Sequence, residues 1–553
     1  MMKHFINLAA ILLFIGCYNN DTGAVVCGHP EATKIGINIL EIGGNAIDAA
    51  IGVQLALAVC LPSAGNIGGG GFMVYREENG NHYCLDFRES APQGAKKNMY
   101  LDDNQMIIDS LSTYGALSIG VPGTIDGIFQ AHRKFGSIDI DTLFNYAINL
   151  ALHGFPITQQ QAERFNFYKN DFEKFNPNNN YLQKNLWTAG DSLKQADLAK
   201  TLSIIKEKGR SGFYEGEIAH SIINTISENG VMTLEDLKNY QAIWREPITY
   251  NFGDYKLISM PPPSSGGIAI AQLLMTLANF KIDTIQHNSA EYIHLLSEIE
   301  KLVYADRAKY LGDPDFYFVP VNKLMNPNYN KQRAIDINLL QAKPSKFISE
   351  GSFEYNESEE TTHFSILDQY GNAVSVTTTL NTNYGSKVFV NKRGFLLNNE
   401  MDDFSSKPGS PNTYGLIGSN ANAIEPGKRM LSSMTPTIIE KKDNLFLILG
   451  SPGGSTIITS VFQTILNVIN FEMDIMSAVN YPRFHHQWKP DHILMEQELY
   501  SKVLNLKLNE LGHNIKTRKS IGNVNAIMLQ KDSVSVGPDK RGDNTAKIIQ
   551  HTN

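Results

Sequence analysis

Asn356-Glu357-Ser358-Glu359-Glu360 runs without a linker into Thr361-Thr362-His363-Phe364-Ser365-Ile366-Leu367. The first five residues are polar and acidic, the composition of an exposed loop open to cutting. The next seven are rich in Thr, Ile and Phe, which favour an extended strand. Asp368-Gln369-Tyr370-Gly371-Asn372 supplies turn residues, and Ala373 to Leu380 returns as a second run of Val and Thr. The whole reads as a β-hairpin whose first strand starts at the edge of a cuttable loop. Thr-rich strand starts are common, so the pentapeptide at 361–365 taken alone reads as plain β-propensity.

Working outward, the chain changes character on either side of this boundary. Upstream, Glu31 to Cys60 is helical and broken at Gly43-Gly44, and its second half is apolar nearly all round, which predicts a buried helix. Asn66-Ile67-Gly68-Gly69-Gly70-Gly71 reads as a tight turn, followed by strands at Phe72 to Arg76 and His82 to Arg88. Helical patterns dominate from about 112 to 280, and Pro261-Pro262-Pro263-Ser264-Ser265-Gly266-Gly267 introduces a further apolar helix. From about 326 to 360 the chain is polar. Downstream, Phe446 to Gly450 is a short strand, Ser451-Pro452-Gly453-Gly454-Ser455 a loop, and Thr456 to Ile469 an apolar helix.

The 553 residues carry a net charge of -8, with 42% hydrophobic and 19% charged residues, which is ordinary globular composition. No basic surface is available for nucleic acid. Residues 1–16 read as an export signal, with Lys3 ahead of the apolar run Phe5 to Ile15, which is too short to span a bilayer. The ending Phe14-Ile15-Gly16-Cys17 resembles a lipoprotein signal, and both lipidation at Cys17 and simple cleavage stay open. An exported protein, periplasmic or extracellular, is expected. Cys27, Cys60 and Cys84 have no metal-ligand spacing and read as buried free thiols.

Several ordered segments carry a specific resemblance. They are Asp86-Phe87-Arg88-Glu89, Thr361-Thr362-His363-Phe364-Ser365, Thr379-Leu380-Asn381-Thr382-Asn383-Tyr384-Gly385 and Leu397-Asn398-Asn399-Glu400-Met401-Asp402-Asp403-Phe404. Leu431-Ser432-Ser433-Met434, Gly450-Ser451-Pro452-Gly453-Gly454-Ser455 and Pro482-Arg483-Phe484-His485-His486-Gln487-Trp488 complete the series. From about Val25 to the C-terminus the chain resembles the γ-glutamyltransferases of the N-terminal-nucleophile hydrolase superfamily. The resemblance implies a four-layer αββα sandwich, autocatalytic cutting between Glu360 and Thr361, and a large subunit 17–360 paired with a small subunit 361–553. It implies glutathione and related γ-glutamyl compounds as donors, water, amino acids or dipeptides as acceptors, and no cofactor.

Residue types fit those roles. Cutting before Thr361 creates an α-amino group with a pKa of about 7.7–8.0, suited to act as base on the residue's own hydroxyl. Thr379 resembles the threonine that hydrogen-bonds the nucleophile. Gly453 and Gly454, between a strand and a helix, let backbone N–H groups approach an oxyanion; no lysine follows them, which excludes a phosphate loop. A γ-glutamyl group needs a cation and hydroxyls for its carboxylate, and carboxylates for its ammonium. The resemblance assigns Arg88, Ser432 and Ser433 to the first task and Asn381, Glu400 and Asp403 to the second. Glu400 stands where many relatives have Gln. Residues 408–419, with Tyr414, resemble a substrate-covering lid. His485-His486 lacks a third ligand nearby, so no metal is expected. Two alternatives remain: a glutaryl or cephalosporin acylase on the same scaffold, and an uncut, inactive surface binding protein.

Overall fold

The computed structural model describes residues 22–108, 110–177, 182, 184–348, 361–530 and 533–550. The export signal, Cys17 and Glu360 lie outside the described residues. Two sheets stack at the centre, built from β1 (Thr22–Cys27), β2 (Gly70–Arg76), β3 (His82–Asp86), β4 (Ile243–Arg245), β5 (Ile248–Phe252), β6 (Tyr255–Ser259), β7 (Thr362–Leu367), β8 (Ala373–Thr379), β9 (Thr437–Lys441), β10 (Asn444–Gly450), β11 (Asn525–Gln530), β12 (Ser533–Pro538) and β13 (Thr545–Gln550). One sheet has seven strands in the order β13-β1-β7-β8-β2-β3-β4, and the other has six in the order β12-β11-β10-β9-β6-β5.

Strand alternation decides which layer each side chain joins. In β7 and β8, Phe364, Ile366, Val374 and Val376 face one way, into a core shared with helices α1 (Pro30–Glu41) and α2 (Ala46–Cys60). Every residue of α2 is buried, as its nearly all-apolar sequence requires. In β1 and β2, Ala24, Val26, Phe72 and Val74 face the second sheet. That sheet is covered by helices α3 (Gly266–Leu277), α4 (Ala290–Tyr310) and α5 (Thr456–Ile469). Buried on both faces, β10 contributes the unbroken apolar run Leu447-Ile448-Leu449. The result is the αββα sandwich expected from the resemblance.

The structure sharpens three sequence expectations. The stretch from 112 to 280 is not helical throughout: β4, β5 and β6 lie within it, and Ile-Thr-Tyr-Asn-Phe at 248–252 has the alternation of a strand beside the turn at Gly253-Asp254. The Gly68–Gly71 run bends at Gly68 and Gly69, where Asn66 Oδ1 accepts from Gly69 N at 3.1 Å, and enters β2 at Gly70, with no positive φ among its four residues. Its glycines admit neighbouring backbone, since a Cβ at Gly68 would sit 2.2 Å from the Leu396 carbonyl oxygen and one at Gly69 2.2 Å from that of Thr379. The polar segment after 326 begins with a helix, Pro327–Ile335, capped by the Asn326 side chain.

Candidate active site

Thr361 directly precedes β7, and β7 pairs antiparallel with β8 through Thr362↔Thr378 and His363↔Thr377. The same register carried one residue further sets Thr361 across from Thr379. A buried polar seam between the sheets holds this register. His363 bonds the Thr377 hydroxyl at 2.9 Å and the Ser365 hydroxyl at 3.1 Å through its two ring nitrogens. Asn525 of β11 donates Nδ2 to the His363 carbonyl at 2.9 Å, so β7 is tied to both sheets. Burial pushes the His363 pKa down to about 3, so the ring is neutral. Thr361 itself is 9% exposed.

The glycine pair comes next. β10 ends at Gly450, and Gly453 (φ 133) and Gly454 (φ 53) turn the chain into α5 through backbone angles that side chains disfavour. Gly453 O accepts from Thr456 N at 2.9 Å and from the Thr456 hydroxyl at 2.7 Å, closing the first turn of the helix. Gly454 leaves room for the Tyr414 ring, which a Cβ would meet at 2.5 Å.

Thr361, Thr379 and Gly454 share a cavity of about 280 Å³ with the charged residues singled out from sequence. Arg88, just beyond β3, donates Nη1 to Glu400 Oε1 and Nη2 to Asp403 Oδ2; Glu400 is fully buried and the Asp403 side chain is 11% exposed. Burial pushes the Glu400 and Asp403 pKa values up, and Arg88 opposes it. Glu89 lies 3.9 Å from Arg88, and burial pushes its pKa up to about 8. Asn381, at φ 76, donates Nδ2 to the Asn399 carbonyl at 3.0 Å, and its N–H is held by the Thr379 hydroxyl at 2.7 Å. Ser432 and Ser433 complete the wall. Gly453 lines a separate cleft that also reaches Thr361.

Tyr414 closes the cavity. Its hydroxyl donates to the Asn381 carbonyl at 2.6 Å and its own carbonyl accepts from Gln487 Nε2 at 3.0 Å. Its segment is pinned to the site's acids: Asn412 Nδ2 donates to Asp403 Oδ1 at 3.1 Å, and Thr413 N to Asp402 Oδ2 at 3.0 Å.

The Gamma-glutamyltranspeptidase family matches this chain over residues 32–549. The glutathione hydrolase proenzyme of Escherichia coli (strain K12) is 44% identical over 522 residues, covering 93% of this chain and 89% of the relative. The chain belongs to the γ-glutamyltranspeptidase family. Helicobacter pylori γ-glutamyltranspeptidase is a 42% identical structural neighbour with a TM-score of 0.57, over 58% of this chain and 93% of that one. Cephalosporin acylase from Bacillus halodurans overlays with a TM-score of 0.82 over 95% of each chain at 24% identity, a likeness of fold alone.

The site also contains residues that sequence reasoning missed. Arg307, on α4, lines the cavity and donates Nη2 to the Ser433 hydroxyl at 3.0 Å and Nε to the Ser265 hydroxyl at 2.9 Å. Ser265 also bonds the Ser432 carbonyl through its N–H at 2.8 Å and its hydroxyl at 2.7 Å. The Pro261–Gly267 run, read as a helix start, therefore also braces the two serines. Arg307 had no local signal: α4 is buried on every face over residues 292–308 although charged residues recur along it. His485 and His486 make ordinary hydrogen bonds, His485 to Thr459 at 2.8 Å and Gln487 at 2.9 Å, His486 to the Trp488 N–H at 3.0 Å. Cys27, Cys60 and Cys84 are buried free thiols. Among the described residues, no helix is long and apolar enough to cross a membrane.

Proposed function

We propose that this enzyme hydrolyses glutathione and transfers its γ-glutamyl group, with Thr361 as nucleophile after self-cleavage of the Glu360–Thr361 bond. The observation that carries the reading is that the residue at the loop–strand boundary opens on a cavity pairing one guanidinium with two carboxylates. A γ-glutamyl head group bears an ammonium and a carboxylate on one carbon, so its pocket needs opposite charges within a few ångströms. Arg88 with Ser432 and Ser433 takes the carboxylate; Glu400, Asp403 and Asn381 take the ammonium. A glutaryl group has no ammonium, and the same carboxylates oppose it.

In maturation the Thr361 hydroxyl attacks the Glu360 carbonyl carbon, the C–N bond breaks as an ester forms, and water hydrolyses that ester. This leaves Glu360 as a carboxyl terminus and Thr361 with a free amino group. In turnover that amino group takes the hydroxyl proton while the oxygen attacks the γ-glutamyl carbonyl. The Gly453 and Gly454 N–H groups receive the oxyanion. The proton passes to the departing amine, cysteinylglycine leaves, and water or an amine then releases the γ-glutamyl ester. Large subunit 17–360 and small subunit 361–553 form the mature unit, and residues 1–16 direct its export, with or without lipid on Cys17. A denaturing gel with N-terminal sequencing tests this: wild type gives two fragments, the smaller starting at Thr361, and Thr361→Ala stays whole. A wild type that remains one chain and leaves γ-glutamyl anilides untouched sinks the proposal; cutting of glutaryl anilides instead would favour the acylase.

A further inference from the structure

Three residues lining the charged cavity hold donors that find no acceptor among the described residues. The Ser432 hydroxyl accepts from the Met434 N–H at 3.1 Å, and the Ser433 hydroxyl accepts from Arg307 Nη2 at 3.0 Å. Each hydroxyl carries one proton, and neither passes it to a described acceptor. Arg307 is the third. Its Nε donates to the Ser265 hydroxyl at 2.9 Å and its Nη2 to Ser433, while its Nη1 makes no hydrogen bond among the described residues. The side chain is only 5% exposed, and donors left unmade at such depth are costly.

The two guanidiniums of the cavity also differ in charge balance. Arg88 faces both Glu400 and Asp403. Arg307 touches only hydroxyls and makes no ion pair among the described residues, although the charge of Asp403 reaches it from further off. Burial lowers its pKa to about 10, so it stays a cation near neutral pH. A carboxylate arriving at Arg88 alone would meet one cation already matched by two acids. Arg307 balances these four groups, and a zwitterionic ligand keeps them balanced.

We propose that Arg307 is the second cation of the carboxylate subsite and makes the enzyme select donors that carry the α-carboxylate. The assignment rests on the γ-glutamyl reading above. Arg307 Nη1 and the Ser432 and Ser433 hydroxyls donate to the carboxylate, whose two oxygens offer about four acceptor sites and so leave room for Arg88. Accepting from Arg307 turns the Ser433 proton away from the guanidinium and toward the ligand. Ser265 holds the other edge of that guanidinium and donates its own hydroxyl to the Ser432 carbonyl at 2.7 Å, so cation and serines keep one geometry.

The test uses the mature enzyme and two competitive inhibitors of γ-glutamyl p-nitroanilide turnover: L-glutamate, and 4-aminobutyrate, which lacks only the α-carboxylate. Arg307→Gln should raise the glutamate Ki and the anilide KM roughly tenfold or more, the span of a lost charged hydrogen bond. The 4-aminobutyrate Ki and kcat should move by about twofold or less, because the lost contact is equal in ground and transition states. Arg307→Lys should regain part of the loss. A residue that only braced the wall would lower kcat and raise both Ki values together, and that pattern overturns the assignment. So does an unchanged glutamate Ki, and so do Gln and Lys variants that both stay uncut at Thr361, since Arg307 then serves folding. A wild type cut at Thr361 that turns over no γ-glutamyl anilide overturns the reading beneath instead.

Discussion

At the residue scale the site is a compact set of buried charges held in balance. Arg88 pairs Glu400 and Asp403 across the cavity, and the proposed γ-glutamyl head group, a zwitterion, can replace those contacts because it brings both charges itself. Removing the cation strands two buried carboxylates, which typically costs about 3–5 kcal/mol. Arg88→Ala should therefore melt well below wild type near neutral pH, and acidification should narrow the gap. The sign follows from the variant's carboxylates: without Arg88 their folded pKa values rise further, so stability present at low pH is lost as pH climbs through them. Melting curves across a pH series check it; a gap independent of pH refutes it. Glu89 gives a second case. With its pKa raised to about 8 by burial, native protein holds a proton there that the unfolded chain has released. Its contribution is full below the ordinary carboxylate pKa and is lost as pH rises toward about 8. Glu89→Gln keeps the neutral form, so its melting temperature should decline less than that of wild type over that window. The charged trio was singled out in sequence through the family resemblance, whose motifs are contiguous stretches around Arg88 and Glu400 to Asp403. Glu89's burial and Arg307's reach to Ser433 were not, because neither residue's own segment says what packs over it.

At the element scale, the turn entering α5 and the segment over the cavity are fitted to each other. Gly454 is bare where the Tyr414 ring passes, and Tyr414 in turn bonds the Asn381 carbonyl. Gly454→Ala should push that ring aside and lower kcat/KM on a γ-glutamyl anilide by roughly tenfold or more, since overpacking costs about 1–3 kcal/mol. In a Tyr414→Ala background the same change should cost much less, and the double-mutant cycle measures that coupling. Additive losses would show that the ring and the glycine act independently. The segment that leads toward the cut is likewise fixed: His294 holds the Asn338 carbonyl at 2.8 Å, Lys301 the Lys343 carbonyl at 2.6 Å, and Asp491 the Ser345 hydroxyl at 2.7 Å. Sequence composition read this segment as part of a polar loop, since its anchors come from α4 and from near the C-terminus.

At the scale of the whole molecule, the residues before and after Thr361 are woven through both sheets. β1, β2, β3 and β4 alternate with β7, β8 and β13 in one, and β5 and β6 join β9 to β12 in the other. A cut before Thr361 breaks one covalent bond but none of these ladders. The two fragments should therefore elute together in native gel filtration at the size of the uncut chain or larger, and separate only in denaturant. Fragments that part under native conditions would refute this topology.

The sequence by itself determined the hairpin at Thr361, the buried helix α2, the glycine turn into α5 and the residue types of the site, because each depends on a few adjacent side chains and their backbone preferences. It left β4, β5 and β6 hidden in a stretch that looked helical, where local propensity is weak and sheet pairing decides. Only the tertiary structure brought Arg88 to Glu400 and Asp403, 312 and 315 residues away, joined Arg307 to Ser433, and gave Thr361 a hollow on each side. Those contacts arise from strand register and from the stacking of the two sheets, and no local pattern of residues encodes which distant segment will be the neighbour.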